Sequence, residues 1–213
     1  MPKNIIVRTV ALVSGAIALG LAIAVGVRLW QGGEQPAIEV TDKGVTGAAL
    51  IGGPFTLTDQ HGATISDSDF RGRFMLVYFG YSFCPDECPT DLAAMSAAID
   101  LLGVTGDGVQ PIFITIDPER DTVRRLAEFA PLFHPRLVAL TGTPEEIRQV
   151  ASEYRVYFEK VGSGPDYGMN HSGIIYLMDR QGRFVTHFTQ ATAPEEIANA
   201  IRSQLEQAST QGS

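Results

Sequence analysis

The chain has 213 residues, a formal net charge of −8 and two cysteines. An acidic balance of this size argues against nucleic acid as a partner, because a phosphate backbone is met by clustered lysine and arginine. Beyond an apolar N-terminal run, about 180 residues remain, enough for one domain with a sizeable core.

Lys3 and Arg8 precede an uncharged stretch over residues 9–27, rich in Ala, Val, Leu, Ile and Gly, which Arg28 and Trp30 close. A helix of ~20 residues crosses ~30 Å of hydrocarbon, so residues 1–30 are expected to form a single transmembrane anchor. The positive flank places the N-terminus in the cytoplasm and the rest of the chain outside it, where paired cysteines can be oxidised. Neither a lipobox cysteine nor a clear Ala-x-Ala site follows, so the anchor reads as uncleaved; with no long basic presequence, the expected location is a bacterial cytoplasmic membrane with the C-terminal domain in the periplasm. Residues 31–53 hold seven glycines or prolines and no period, the composition of a flexible linker. Residues 54–207 read as the folded domain and 208–213 as a tail.

The domain opens with two short alternating runs, 54–58 and 63–66, around Asp59-Gln60-His61-Gly62, which predicts a β-hairpin. After a turn at residues 69–73, Met75–Phe79 is an apolar strand. Leu92, Met95, Ile99 and Leu102 form a helical stripe that Gly103 ends. Pro111–Ile116 reads as a strand buried on both faces. Asp117-Pro118-Glu119-Arg120-Asp121 supplies acid where a helix N-terminus favours it, and that helix runs to about Phe129. A strand at 137–140 is followed by Thr143-Pro144-Glu145-Glu146, a capping box opening a helix to about Tyr154. A short strand near 156–160, a polar loop at 162–168, a hairpin of 174–178 with 184–188, and a last helix from Pro194 to about Gln207 complete the chain. This order is that of an α/β fold with a mixed sheet flanked by helices, thioredoxin-like in arrangement.

Both cysteines fall on one turn, Gly80-Tyr81-Ser82-Phe83-Cys84-Pro85-Asp86-Glu87-Cys88-Pro89, between the Met75–Phe79 strand and the helix after it. A disulfide closing so short a loop would stabilise by only about 2 kcal/mol, so chemistry is the better reading. Pro89 fits the first helical turn, which sets Cys88 at the N-cap edge and Cys84 on the loop. Helix-terminal N–H groups favour thiolate, while Asp86 and Glu87 oppose it. A redox motif of the thioredoxin kind has two residues between its cysteines; three stand here. The wider loop permits a disulfide, and it also lets two sulfurs converge on one metal with room for a third ligand. Thiolates with an imidazole select copper or zinc. Where thioredoxin-like proteins usually place a proline, before the strand after the third helix, this chain has Tyr167-Gly168-Met169-Asn170-His171-Ser172-Gly173. His171 is therefore the candidate third ligand. His61, His134 and His187 read as turn, connecting-loop and exposed-face residues, Met95 as core and Met169 as packing.

The segments Phe79–Pro89, Thr115–Thr122 and Asp166–Ser172 with Tyr176-Leu177 resemble the Sco/SenC family, over essentially residues 54–204. The resemblance implies a membrane-anchored, thioredoxin-fold copper protein that helps assemble the binuclear copper centre of cytochrome c oxidase. It implies Cys84, Cys88 and His171 as ligands to Cu(I) and Cu(II). The implied partners are the copper-centre subunit of the oxidase, the membrane, and another periplasmic copper carrier if delivery is indirect. The other function compatible with the cysteine pair is that of a thiol–disulfide reductase acting on that subunit through Cys84 and Cys88, and His171 is the residue such an enzyme does not need. A peroxidase is disfavoured, since Asp86 and Glu87 stand where a peroxidatic cysteine wants Thr and Arg. Many members of the family carry an acid immediately before the histidine, where this chain has Asn170.

Overall fold

The computed structural model describes residues 51–210, with side chains to residue 207. The anchor, most of the linker and the end of the tail lie outside the described residues. Among those described, no helix is long and apolar enough to cross a membrane.

The elements run β1 (Thr56–Asp59), β2 (Thr64–Ser66), β3 (Phe74–Gly80), α1 (Glu87–Leu101), β4 (Val109–Thr115), α2 (Val123–Phe129), β5 (Val138–Thr141), α3 (Pro144–Glu153), β6 (Phe158–Val161), β7 (Gly168–His171), β8 (Ile174–Met178), β9 (Phe184–Thr189) and α4 (Pro194–Thr210). Seven strands form one mixed sheet in the order β2-β1-β5-β4-β3-β8-β9. β3, β4 and β5 are parallel, while β1 and β8 join them antiparallel. This is the mixed sheet expected from the order of elements, with both hairpins, β1–β2 and β8–β9, in place. Every residue of β3 and β4 is buried, so both faces of the sheet's centre are covered. α1 and α4 pack on one another. α3 begins with the expected capping box, in which the Thr143 hydroxyl accepts from the Glu146 amide and the Glu146 carboxylate accepts from the Thr143 amide.

Three expectations need correction. The helix after the cysteine turn starts at Glu87 with Asp86 as N-cap, so Cys88 is the second helical residue and Pro89 the third. Proline is tolerated there because the first four amides of a helix have no acceptor inside it. The Asp117–Asp121 segment is not the first turn of a helix: α2 begins at Val123, behind a Thr122 cap that accepts from the Arg125 amide. Asp117 and Asp121 are instead buried, at 3 % and 0 % exposure. The segment read as a loop around His171 contains a strand: β7 pairs antiparallel with β6 as a separate two-stranded sheet, with His171 opposite Phe158. Glycine, Asn and His have little strand propensity, so the pairing comes from the β6 partner rather than from composition.

Candidate metal centre

β3 delivers the chain to the turn that carries the sulfurs. It ends at Gly80, and the carbonyl of Tyr81 accepts the Cys84 amide at 3.2 Å. The Cys84 sulfur in turn accepts the Cys88 amide at 3.4 Å. Cys84 thus serves one of the orphan N–H groups at the start of α1, which brings it back over the helix end. Cys88 is wholly buried and Cys84 partly so; both are free thiols. Gly80 makes this possible: a Cβ there would lie 2.8 Å from Cys88 Sγ.

His171 arrives from the other direction, at the end of β7. Its Nε2 lies 3.5 Å from Cys88 Sγ, and its Nδ1 lies 3.2 Å from the Ser172 carbonyl oxygen. A proton on Nδ1 donated to that carbonyl leaves Nε2 as a lone-pair donor facing the sulfurs. The imidazole is held edge-on between Tyr78 and Tyr81, at ring separations of 6.2 Å and 6.0 Å. One ligand atom from each of Cys84, Cys88 and His171 lies within 4.8 Å of the other two. The three residues singled out in the sequence therefore do meet, and two sulfurs with one imidazole nitrogen form a soft donor set suited to copper or zinc.

Burial pushes the Cys88 thiol well above its ordinary range, with a backbone hydrogen bond from Tyr81 and the side chain of Tyr78 opposing it. A bound cation reverses this balance, because a coordinating thiol is deprotonated outright.

The other histidines stay apart from this cluster. His61 is exposed at its turn, and His187 is exposed and stacks on Phe184. His134 lies in a connection but is buried, its Nδ1 accepting from the Arg136 amide at 3.1 Å. Met95 is core, and Met169 packs against the core, as expected. Asn170 is exposed, and strand alternation turns it away from His171. The buried carboxylate near the site is Asp91 of α1, 3 % exposed and in electrostatic contact with His171.

Reasoning from the sequence missed the frame around these candidate ligands. Asp121 Oδ2 accepts from the Ser82 amide at 3.0 Å and from the Thr115 hydroxyl at 2.6 Å, and its Oδ1 accepts from the Ser82 hydroxyl at 2.5 Å. Arg125 donates to Ser82 Oγ at 2.9 Å. These bonds tie the cysteine turn to the end of β4. Arg120 does the same for the histidine hairpin. It pairs with Asp117 at 2.5 Å, donates to the Tyr167 carbonyl at 2.9 Å and stacks on the Tyr167 ring at 3.6 Å. The Tyr167 hydroxyl closes the loop by donating to Asp117 at 2.6 Å. Phe83, half exposed beside Cys84, lies under both Arg120 and Arg125. The Thr115–Thr122 motif was the one available signal for this frame, and its spacing alone assigned no contacts.

The family model described as SCO1/SenC matches residues 43–206. The chain is 45 % identical over 162 residues to Protein sco1 of Schizosaccharomyces pombe, covering 74 % of this chain and 62 % of that one. It is 42 % identical over 166 residues to Protein SenC of Rhodobacter capsulatus, covering 78 % and 75 %. The match to the fission-yeast protein thus spans less than two thirds of that relative's length. Among solved structures, Bradyrhizobium japonicum ScoI with copper bound is 45 % identical, with a TM-score of 0.67 over 72 % of this chain and 98 % of that one.

Proposed function

The chain belongs to the SCO1/SenC family, and from that premise we propose that it is a membrane-anchored copper metallochaperone. It holds copper through Cys84, Cys88 and His171 and delivers it to the binuclear copper centre of cytochrome c oxidase, whose copper-centre subunit is the partner. The observation that carries this reading is the convergence of two sulfurs and an imidazole nitrogen within 4.8 Å. Two thiolates hold Cu(I), and the added imidazole suits Cu(II). Cys84 and His171 are both partly exposed, so a receiving protein reaches the ligands from the surface. Delivery is direct or passes through another periplasmic copper carrier. The relative solved with copper bound supports the choice of metal.

The test is titration of the reduced full-length protein with Cu(I) and Cu(II), followed by electron paramagnetic resonance of the Cu(II) form. One equivalent should bind, with nitrogen and sulfur in the coordination sphere. Oxidation of the cysteine pair should abolish binding, since the disulfide lacks thiolate. Equal binding by the oxidised protein would remove Cys84 and Cys88 from the ligand set.

A second reading, a thiol–disulfide reductase for the oxidase subunit, draws support from the unequal cysteines. Cys84 is the more exposed and its sulfur accepts a helix amide, as an attacking sulfur would. His171 separates the two readings.

The proposed setting is the bacterial cytoplasmic membrane, with residues 1–30 as anchor and the C-terminal domain in the periplasm. Lys3 and Arg8 ahead of the uncharged run support this orientation. A reporter fused after Ser213 should be active only if it works outside the cytoplasm, and cytoplasmic activity would reverse the topology.

A further inference from the structure

We infer that the surface around Cys84 and His171 docks an acidic face of the protein that receives the copper, anchored on Phe83 and steered by Arg124 and Arg125. The inference rests on the reading of the chain as a copper donor to the oxidase subunit.

Of the three candidate ligands, Cys88 is wholly buried, while Cys84 and His171 are partly exposed. A receiving protein therefore meets the site at those two, and the side chains that border them enter its contact surface. Two exposed aromatic residues do so. Phe83, 50 % exposed, directly precedes Cys84. Tyr157, 60 % exposed, is bound to the neighbour of His171: its carbonyl accepts the Ser172 amide at 3.0 Å and its amide donates to the Ser172 hydroxyl at 3.3 Å. Aromatic side chains exposed in this way are the usual anchors of protein interfaces. Phe83 is also held in place. The Arg120 and Arg125 guanidinium carbons lie 4.8 Å and 5.0 Å from its ring centroid, and Asp121 fixes Ser82 before it. A side chain ordered beforehand loses little rotamer freedom on binding.

The charges beside Phe83 indicate what it meets. Arg120 is neutralised by Asp117. Arg125 donates to the Ser82 hydroxyl at 2.9 Å and to the Ser82 carbonyl at 3.4 Å. Neither Arg125 nor the adjacent, exposed Arg124 forms an ion pair among the described residues. On a chain of net charge −8, this pair makes a local positive region. After Cys84 come the exposed Asp86 and Glu87, of opposite sign. A protein surface with carboxylates is drawn to the Phe83 side and repelled from the start of α1, so the rim selects an acidic partner and sets its orientation. Asp86 and Glu87 equally disfavour the uniformly negative plane of an anionic bilayer.

The test measures the second-order rate constant for Cu(I) transfer from the loaded full-length protein to the metal-free, reduced copper-centre subunit of the oxidase. Phe83→Ala should slow transfer about tenfold or more, the scale of losing an interface anchor, and Phe83→Trp should recover most of the rate. Arg124 is exposed and stands outside the frame of the site, so Arg124→Glu should keep the copper affinity and unfolding temperature of the wild type. Its transfer should be several-fold slower at low salt, and the deficit should vanish at about 1 M salt, where the screening length is about 3 Å. Transfer by both variants at the wild-type rate would overturn the proposal. Faster transfer by Arg124→Glu would too, since it signals a basic partner face. So would a Phe83→Ala variant that transfers normally but loses self-association, or binding to anionic phospholipid vesicles, because a second copy or a lipid surface would then be the occupant. If the wild type takes up no copper, or passes none to the subunit, the donor reading falls and this proposal with it; if the wild type delivers and the variants deliver equally well, this proposal alone falls.

Discussion

His171→Ala should keep the fold and lose Cu(II). The side chain is partly exposed, and its packing is limited to the edges of two tyrosine rings. Stability should fall by about 1 kcal/mol. Cu(II) affinity should drop by at least ~100-fold, because even removing a group that merely orients a ligand costs 10–100-fold, and this change removes the site's only imidazole. Cu(I) should be less affected, since two thiolates hold it without a nitrogen donor. Cells carrying the variant should fail to assemble the oxidase copper centre unless copper is in excess. Thiol exchange with a generic disulfide should be nearly unchanged, because both sulfurs remain. Full Cu(II) affinity together with normal oxidase assembly would make His171 structural and move the reductase reading ahead.

Asp121→Ala should produce the largest loss of stability of any single change near the site. Asp121 is fully buried and accepts three hydrogen bonds, from the Ser82 amide, the Ser82 hydroxyl and the Thr115 hydroxyl. Burial pushes its carboxyl upward in pKa, and the hydrogen bonds from Ser82 and Thr115 oppose that shift. Removing the carboxyl strands these donors in the interior and leaves a cavity, which costs about 3–5 kcal/mol. For a domain of this size that is roughly a 10 °C fall in the unfolding midpoint of the metal-free protein. Copper affinity should fall too, since Ser82 holds the turn that presents Cys84. Asp121→Asn keeps the shape but turns one acceptor into a donor among donors, so its loss should be intermediate. A fall of less than about 1 kcal/mol for the alanine variant would show that Asp121 does not hold the turn.

The candidate ligands were legible in the sequence because each is a residue of distinctive chemistry at an informative place. Cys84 and Cys88 are the chain's two cysteines and fall on one turn, and His171 stands where the fold ordinarily takes a proline. The central strands were legible because continuous apolar runs leave few alternatives. What escaped was cross-chain pairing. β7 is Gly-Met-Asn-His, a sequence with no strand signal, and becomes a strand only by lying beside Phe158–Val161. Asp117 and Asp121 looked like the acidic opening of a helix, because local sequence favours that use of acid. Their burial depends on Arg120, Tyr167, Ser82 and Thr115, partners that only the tertiary structure brings within reach.

The Cys88 sulfur and the His171 nitrogen that face each other are 83 residues apart in the chain. During synthesis the cysteines emerge well before the histidine. A nascent chain halted after α3 carries both sulfurs and lacks the imidazole altogether. On the proposed ligand set, any copper it meets would be held by two sulfurs alone, which favours the monovalent ion. The complete site closes only when the C-terminal third has folded against the first half, a long loop whose closure entropy the hairpin's anchoring must offset. Tight Cu(II) binding is therefore a readout of finished folding. Copper in turn stabilises the finished state over every partial one, by mass action.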